Sequence, residues 1–230
     1  MRYASLMVGR PAAAEAARIA RDNPGLGVGL HLELCADAPE KAGLRYFFDA
    51  KARAGLDGEI RGQLDALLEL GVTPTHVDGH INVHVHPVVF PALCRVAREY
   101  KIPRVRLPGG SGTRPRPSRG PGRRHRGPGG RIRGDGRLGG GAAAGLEVPR
   151  TWGLLRSGLM KEDYVLWLLA RLPEGDTELY FHPTTDPRLR ATDVPAPSHQ
   201  SVTELETLLS PRVRAALDRE GIALAGPVRA

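Results

Sequence analysis

The histidines are where this sequence could do chemistry. Of the eight, His31 stands alone, and His76, His80, His84 and His86 crowd into residues 75–86. In the run Thr75-His-Val-Asp-Gly-His-Ile-Asn-Val-His-Val-His86, every even position is polar, and every odd one after Thr75 is Val, Gly or Ile. An extended chain would set His76, Asp78, His80, Asn82, His84 and His86 on one face, with the other face packed into a core. Six polar groups on one side are costly to bury without partners, and imidazoles beside a carboxylate suit metal ligation and proton transfer. From His76 to His86 an extended chain spans about 33 Å, at roughly 3.3 Å per residue. A zinc-like ion needs its imidazoles within about 2.0–2.1 Å. At most one or two histidines of the run therefore reach a single ion, and further ligands must come from other strand ends. Asp78 is placed to ligate or to orient a neighbouring imidazole. His31 is the candidate second ligand, with a satisfied core or rim histidine as the plain alternative. His182, in Leu179-Tyr-Phe-His-Pro183, ends a strand where α/β enzymes place catalytic groups. A capping role is its alternative. His125 and His199 receive no role.

These groups need elements to hold them. Residues 11–22 read as a helix stopped by Asn23-Pro24-Gly25. Leu26, Val28, Leu30, Leu32 and Leu34 then alternate with Gly27, Gly29, His31 and Glu33, the period of a strand. A second helix is expected at 58–70, with Gly71 as its stop, and a third at 88–100. Residues 104–107 make a short strand, 161–172 a helix and 177–181 a strand. Ser201-x-x-Glu204 resembles a capping box, and Ser210-Pro211 a further helix start. Strands alternating with helices indicate an α/β protein with a mainly parallel sheet, open or closed into a barrel.

The net charge of +8 suggests a nucleic-acid partner until it is located. Residues 109–145 hold nine of the 33 basic residues and one of the 25 acidic ones, so the rest of the chain carries 24 of each and balances. That segment contains 14 Gly and 4 Pro, and only Ile132 and Leu138 as large apolar side chains. Such a composition does not offset the entropy of ordering a backbone, so an irregular or disordered segment is expected. It reads as a reading-frame change in GC-rich DNA, as a solvated linker, or as an Arg/Gly nucleic-acid segment. The last usually carries aromatics, and this one has none. No nucleic-acid partner is expected. With 230 residues the chain suits a single domain, its two cysteines make no disulfide framework, and no apolar run reaches membrane-spanning length. A cytoplasmic location is expected, and the oligomeric state is open, a homodimer included.

Several motifs taken together carry a resemblance. They are Gly29-Leu-His-Leu32, Thr75-His-Val-Asp-Gly-His80 through Val83-His84 to Pro87 and Phe90-Pro91, Val105-Arg-Leu-Pro108, and Glu178-Leu-Tyr-Phe-His-Pro183. Over about 1–108 and 150–225 the chain is similar to the YdjC-like carbohydrate deacetylase family, and most similar to its hopanoid-biosynthesis-associated branch. The resemblance implies a (β/α) barrel-type fold related to TIM barrels, incomplete at the N-terminus. It implies removal of acetyl groups from an N-acetylated sugar or glycolipid, with one divalent metal ion as cofactor. His31 and His80 would be metal ligands, and His182 a general acid or transition-state donor. His84 would line the substrate pocket, and Asp78 would bind substrate or orient a ligand. Imidazole ligation favours Zn2+ and an oxygen-rich site Mg2+, and the sequence leaves both open.

Three departures from the family pattern bear on activity. The family's Ala-Asp-Asp-Phe-Gly type motif, source of a metal-binding carboxylate and the catalytic base, has no counterpart, since Tyr3-Ala-Ser-Leu-Met-Val8 resembles a later segment. The Gly/Arg stretch also replaces family-like sequence, and Asn82 stands where many members carry a further histidine. A weak or inactive deacetylase is therefore expected, with a non-catalytic sugar-binding or scaffold protein as the alternative.

Overall fold

The computed structural model describes residues 1–34, 39–107, 145–153, 156–188 and 201–227. Apart from Gly145, the Gly/Arg stretch lies outside the described residues. Two compact units divide the described chain. The first comprises 1–107 with 145–148 and 225–227, and the second lies within 149–224. No described helix is long and apolar enough to cross a membrane.

In the first unit, strands β1 (Tyr3–Leu6) and β2 (Gly27–Leu32) flank helix α1 (Ala13–Asp22). Helices α2 (Pro39–Phe48) and α3 (Ala50–Glu69) lead to strand β3 (Val77–Gly79), and helix α4 (Val89–Glu99) follows. All three strands are parallel in the order β1-β2-β3, as helical crossovers require. Beyond β3 the ladder continues: Val77 N–H donates to the Arg104 carbonyl, 3.0 Å, and Arg106 N–H to the Val77 carbonyl, 3.0 Å. Leu30 lies opposite Val77, which bridges Val105, so this row is apolar and buried with Ile60, Leu64 and Leu67 of α3 and Leu93 of α4. Ser5 lies opposite Gly29 and His31 opposite Asp78, so alternation turns those side chains to the other face.

Asp49 caps α3 by accepting from Lys51 and Ala52 N–H at 2.8 and 3.0 Å, which starts that helix eight residues before the expected 58. It closes as expected at Gly71, whose φ of +75° lets Val72 N–H reach back to the Leu67 carbonyl.

The expectation of an extended chain over 75–86 is corrected. β3 ends at Gly79, and His80–Val85 coils into tight 3₁₀ turns interrupted by left-handed backbone at Ile81 (φ 46°) and Asn82 (φ 60°). The reason is pairing: β2 stops at Leu32, opposite Gly79, so His80 has no residue across from it on that side. The alternation past Gly79 is a composition pattern without a ladder to enforce it.

In the second unit, strand β4 (Arg150–Trp152) pairs in parallel with β5 (Thr177–Leu179), and Tyr180 N–H extends the ladder to the Trp152 carbonyl. Helices α5 (Glu162–Leu169), α6 (Val202–Leu209) and α7 (Pro211–Arg219) complete it around Trp152, Met160, Val165, Leu168, Leu169 and Ala216. Ser210 caps α7 as expected. The expected capping box on α6 is half right. Ser201 accepts from Thr203 N–H, while the Glu204 carboxylate turns inward and accepts from Met160 and His182 N–H. Among the described residues neither sheet closes on itself.

Candidate active site

The facing of His31 and Asp78 across β2 and β3 organises the first unit's polar face. Asp78 is buried, and its Oδ1 accepts from His31 Nδ1 at 2.7 Å. Its Oδ2 accepts from Ser5 Oγ at 2.8 Å and from the Arg106 guanidinium. Burial alone would raise this carboxyl. The Arg106 charge and the His31 bond outweigh it and hold Asp78 well below the usual carboxylate range. An ionised acceptor at Nδ1 puts the hydrogen of neutral His31 there and leaves the lone pair on Nε2, the arrangement that orients metal-binding imidazoles.

His80 opens the turn after β3, and its ring meets that of His31 edge-to-face with centroids 5.8 Å apart. Burial and the neighbouring His31 lower its pKa. The two residues expected to share an ion are thus neighbours. Their donor chemistry suits a zinc-like ion in kind. In number it falls short: among the described residues, no three His, Cys, Asp or Glu side chains are grouped to hold a metal. Three protein ligands are the usual complement of a catalytic zinc site.

His84, expected at a substrate pocket, is buried. Its Nε2 donates to the Arg106 carbonyl at 2.7 Å, and burial pushes its pKa down to about 4. It packs on Gly79, where an added Cβ would lie 2.8 Å from His84 Nδ1. His76 is also buried, and its pKa falls to about 4 for the same reason. Its Nε2 lies 3.1 Å from Ser5 Oγ and its Nδ1 3.0 Å from Thr75 Oγ1. Ser5, His76 and Asp78 do not form a nucleophilic triad. The serine hydrogen goes to Asp78, so His76 offers Ser5 an N–H where a general base would offer a lone pair. Gly29 admits this ring, since a Cβ there would lie 2.6 Å from its Cγ and Nδ1.

His182 belongs to the second unit. Ser157 Oγ is 3.0 Å from its Nδ1 and the Tyr180 hydroxyl 2.7 Å from its Nε2. Burial raises the Glu204 carboxyl, opposed by backbone N–H bonds from His182, Met160 and Gly158. The sequence reading missed Ser5, Arg106, Ser157, Tyr180 and Glu204. Arg106 left a usable signal, a charge between Val105 and Leu107 in a strand otherwise bound for the core. The serines left none.

The chain matches the YdjC-like protein family over residues 1–219. It belongs to that family. A "Carbohydrate deacetylase" of Geobacillus stearothermophilus is 38% identical over 112 residues, 44% of this chain and 46% of that protein. One from Brevibacillus brevis is 32% identical over 123 residues, covering 48% and 49%. This YdjC-like chain thus spans about half the length of the curated relatives it matches. The crystal structure of an Enterococcus faecalis protein named for cellobiose-phosphate cleavage superimposes with a TM-score of 0.65 at 18% identity. The match covers 98% of this chain and 86% of that one, a likeness of fold.

Proposed function

We propose that this YdjC-like chain is a carbohydrate deacetylase that removes the acetyl group of an N-acetylated sugar or glycolipid. One divalent ion, Zn2+ or Mg2+, would be held through His31 and His80. The supporting observation is the β2–β3 register, which sets His31 on Asp78 and beside His80. Relatives named as carbohydrate deacetylases support the substrate class. When bound, the ion would supply an activated water and polarise the amide carbonyl. Asp78 fixes the His31 tautomer, and Arg106 keeps Asp78 charged. The acid role expected of His182, and a (β/α) barrel-type ancestry for the parallel strands, belong to the same proposal.

Turnover is proposed to be weak. The carboxylate bonded to His31 is committed to Arg106 and Ser5 as well, and a carboxylate so strongly ionised is a poor proton acceptor. The test pairs calorimetric titration of Zn2+ and Mg2+ with an assay of acetate release from an N-acetylated disaccharide. One ion per chain and slow acetate release are expected, both lost in His31→Ala and in His80→Ala. A second reading, a non-catalytic sugar-binding or scaffold protein, is favoured by the missing third ligand among the described residues. Sugar binding without ion binding or acetate release would establish it against the first.

A further inference from the structure

Past the carboxyl ends of the first unit's three parallel strands come Arg10 after β1, Glu33 after β2 and His80 after β3. In open α/β sheets that end is where ligands bind. Leu32 is paired with Gly79, so Glu33 and His80 are the first residues beyond the paired ends of neighbouring strands. Leu30, Leu32 and Leu34 are all buried, so alternation puts Glu33 on the side of His31. The charges of Glu33 and Arg10 are both felt at the His80 ring. Gln63 of α3 fixes the Glu33 backbone: its side-chain oxygen accepts from Glu33 N–H at 3.0 Å, and its amide donates to the Glu33 carbonyl at 2.8 Å. The carboxylate is held less firmly. Its Oε1 accepts from the half-exposed Arg10 guanidinium, and its Oε2 has no hydrogen-bond partner among the described residues. An ion pair with one partner so exposed is weak.

We propose that Glu33 is the third ligand of the ion assigned to His31 and His80, and that Arg10 occupies its carboxylate until an ion binds. The inference rests on the ion reading of those two imidazoles and supplies the donor that reading lacks. As the side chains stand, Glu33 is turned to Arg10, and no three donors are grouped among the described residues. The exchange needs only rotation about the Glu33 side-chain bonds, with the backbone staying where Gln63 holds it. A carboxylate oxygen then gives its lone pair to the ion, the guanidinium returns to water, and no proton or electron is transferred. Two imidazoles with one carboxylate are an established donor set for catalytic zinc, and carboxylate oxygen suits Mg2+ as well. Asp78 is the other carboxylate at hand, but both its oxygens are engaged, by His31, Ser5 and Arg106.

The experiment measures ion affinity in the full chain, by calorimetric titration of Zn2+ and Co2+, together with the visible absorption of the Co2+-loaded protein. Glu33→Gln and Arg10→Met break the same ion pair, so a merely structural pair makes the two variants alike. As ligand and placeholder they diverge. Glu33→Gln weakens the ion by at least about tenfold, as loss of even an indirect partner of a ligand does, and it alters the Co2+ spectrum. Arg10→Met tightens the ion by up to about fivefold and leaves the spectrum unchanged. Equal and opposite shifts without a spectral change mean charges acting through space, and they overturn the proposal. Two variants that bind alike overturn it as well. Ion binding that needs His31 and His80 but not Glu33 removes this assignment alone. Binding absent from the wild type, or unmoved by His31→Ala and His80→Ala, removes the ion reading itself and the Glu33 assignment with it.

Discussion

Asp78 receives one hydrogen bond from an imidazole, one from a hydroxyl and one from a guanidinium, and only the last brings a permanent charge. Removing one partner of a buried ion pair strands the other, at a cost of about 3–5 kcal/mol. Arg106→Ala should therefore lower the unfolding free energy by that amount in urea denaturation. Adding Asp78→Asn should restore part of it, and an Arg106→Ala protein as stable as wild type would contradict the clamp. His76 and His84 carry a different liability. Their pKa values fall from 6.5 to about 4 on burial, so between those pH values the unfolded chain binds protons that the folded one refuses. Their contribution to stability is complete above pH 6.5 and is lost as the pH falls towards 4, on the order of 3 kcal/mol for each ring. Urea midpoints measured from pH 7 down to pH 4.5 should decline, and a flat profile would count against neutral, buried imidazoles.

Among the elements, the same substitution has opposite signs at different glycines. Gly55, Gly58 and Gly62 lie exposed on α3 with open space where a Cβ would go. Alanine at each should stabilise by about 0.5–1 kcal/mol, read as a rise in thermal midpoint. Gly29→Ala should destabilise, because its Cβ would strike the backbone of His76. Ile81, a β-branched residue at φ 46°, is strained, so Ile81→Gly should gain about 1 kcal/mol in urea denaturation while loosening the turn that begins at His80. These features also explain what the sequence could disclose. β2 was legible because Val28, Leu30 and Leu32 form a buried row opposite a row of small and polar residues. The start of α3 was not, because Gly55 and Gly58 weaken the first turns of a helix that Asp49 nonetheless caps. The end of β3 was hidden too, since it depends on where β2 stops, and local alternation carries no record of a distant strand's length. Glu204 fitted a capping box by spacing, but tertiary demand for an acceptor at Met160 and His182 claimed its side chain.

For the molecule as a whole, charge is the simplest property to test. The surplus of +8 resides in residues 109–145, so deleting them should abolish retention on a cation exchanger near neutral pH. Unchanged retention would mean that the balanced remainder displays its charges unevenly. The family resemblance paired His31 with His80, and left Ser5 and Arg106, the other partners of Asp78, to be found in the fold. The facing of His31 and Asp78 has one more consequence. If β3 slipped by a single position along β2, a leucine would confront Asp78, and its anion would lie in hydrocarbon with no imidazole to quiet it. Misassembled chains are thereby penalised at the spot where ligand chemistry is proposed, so the pair acts as an inspector of its own scaffold.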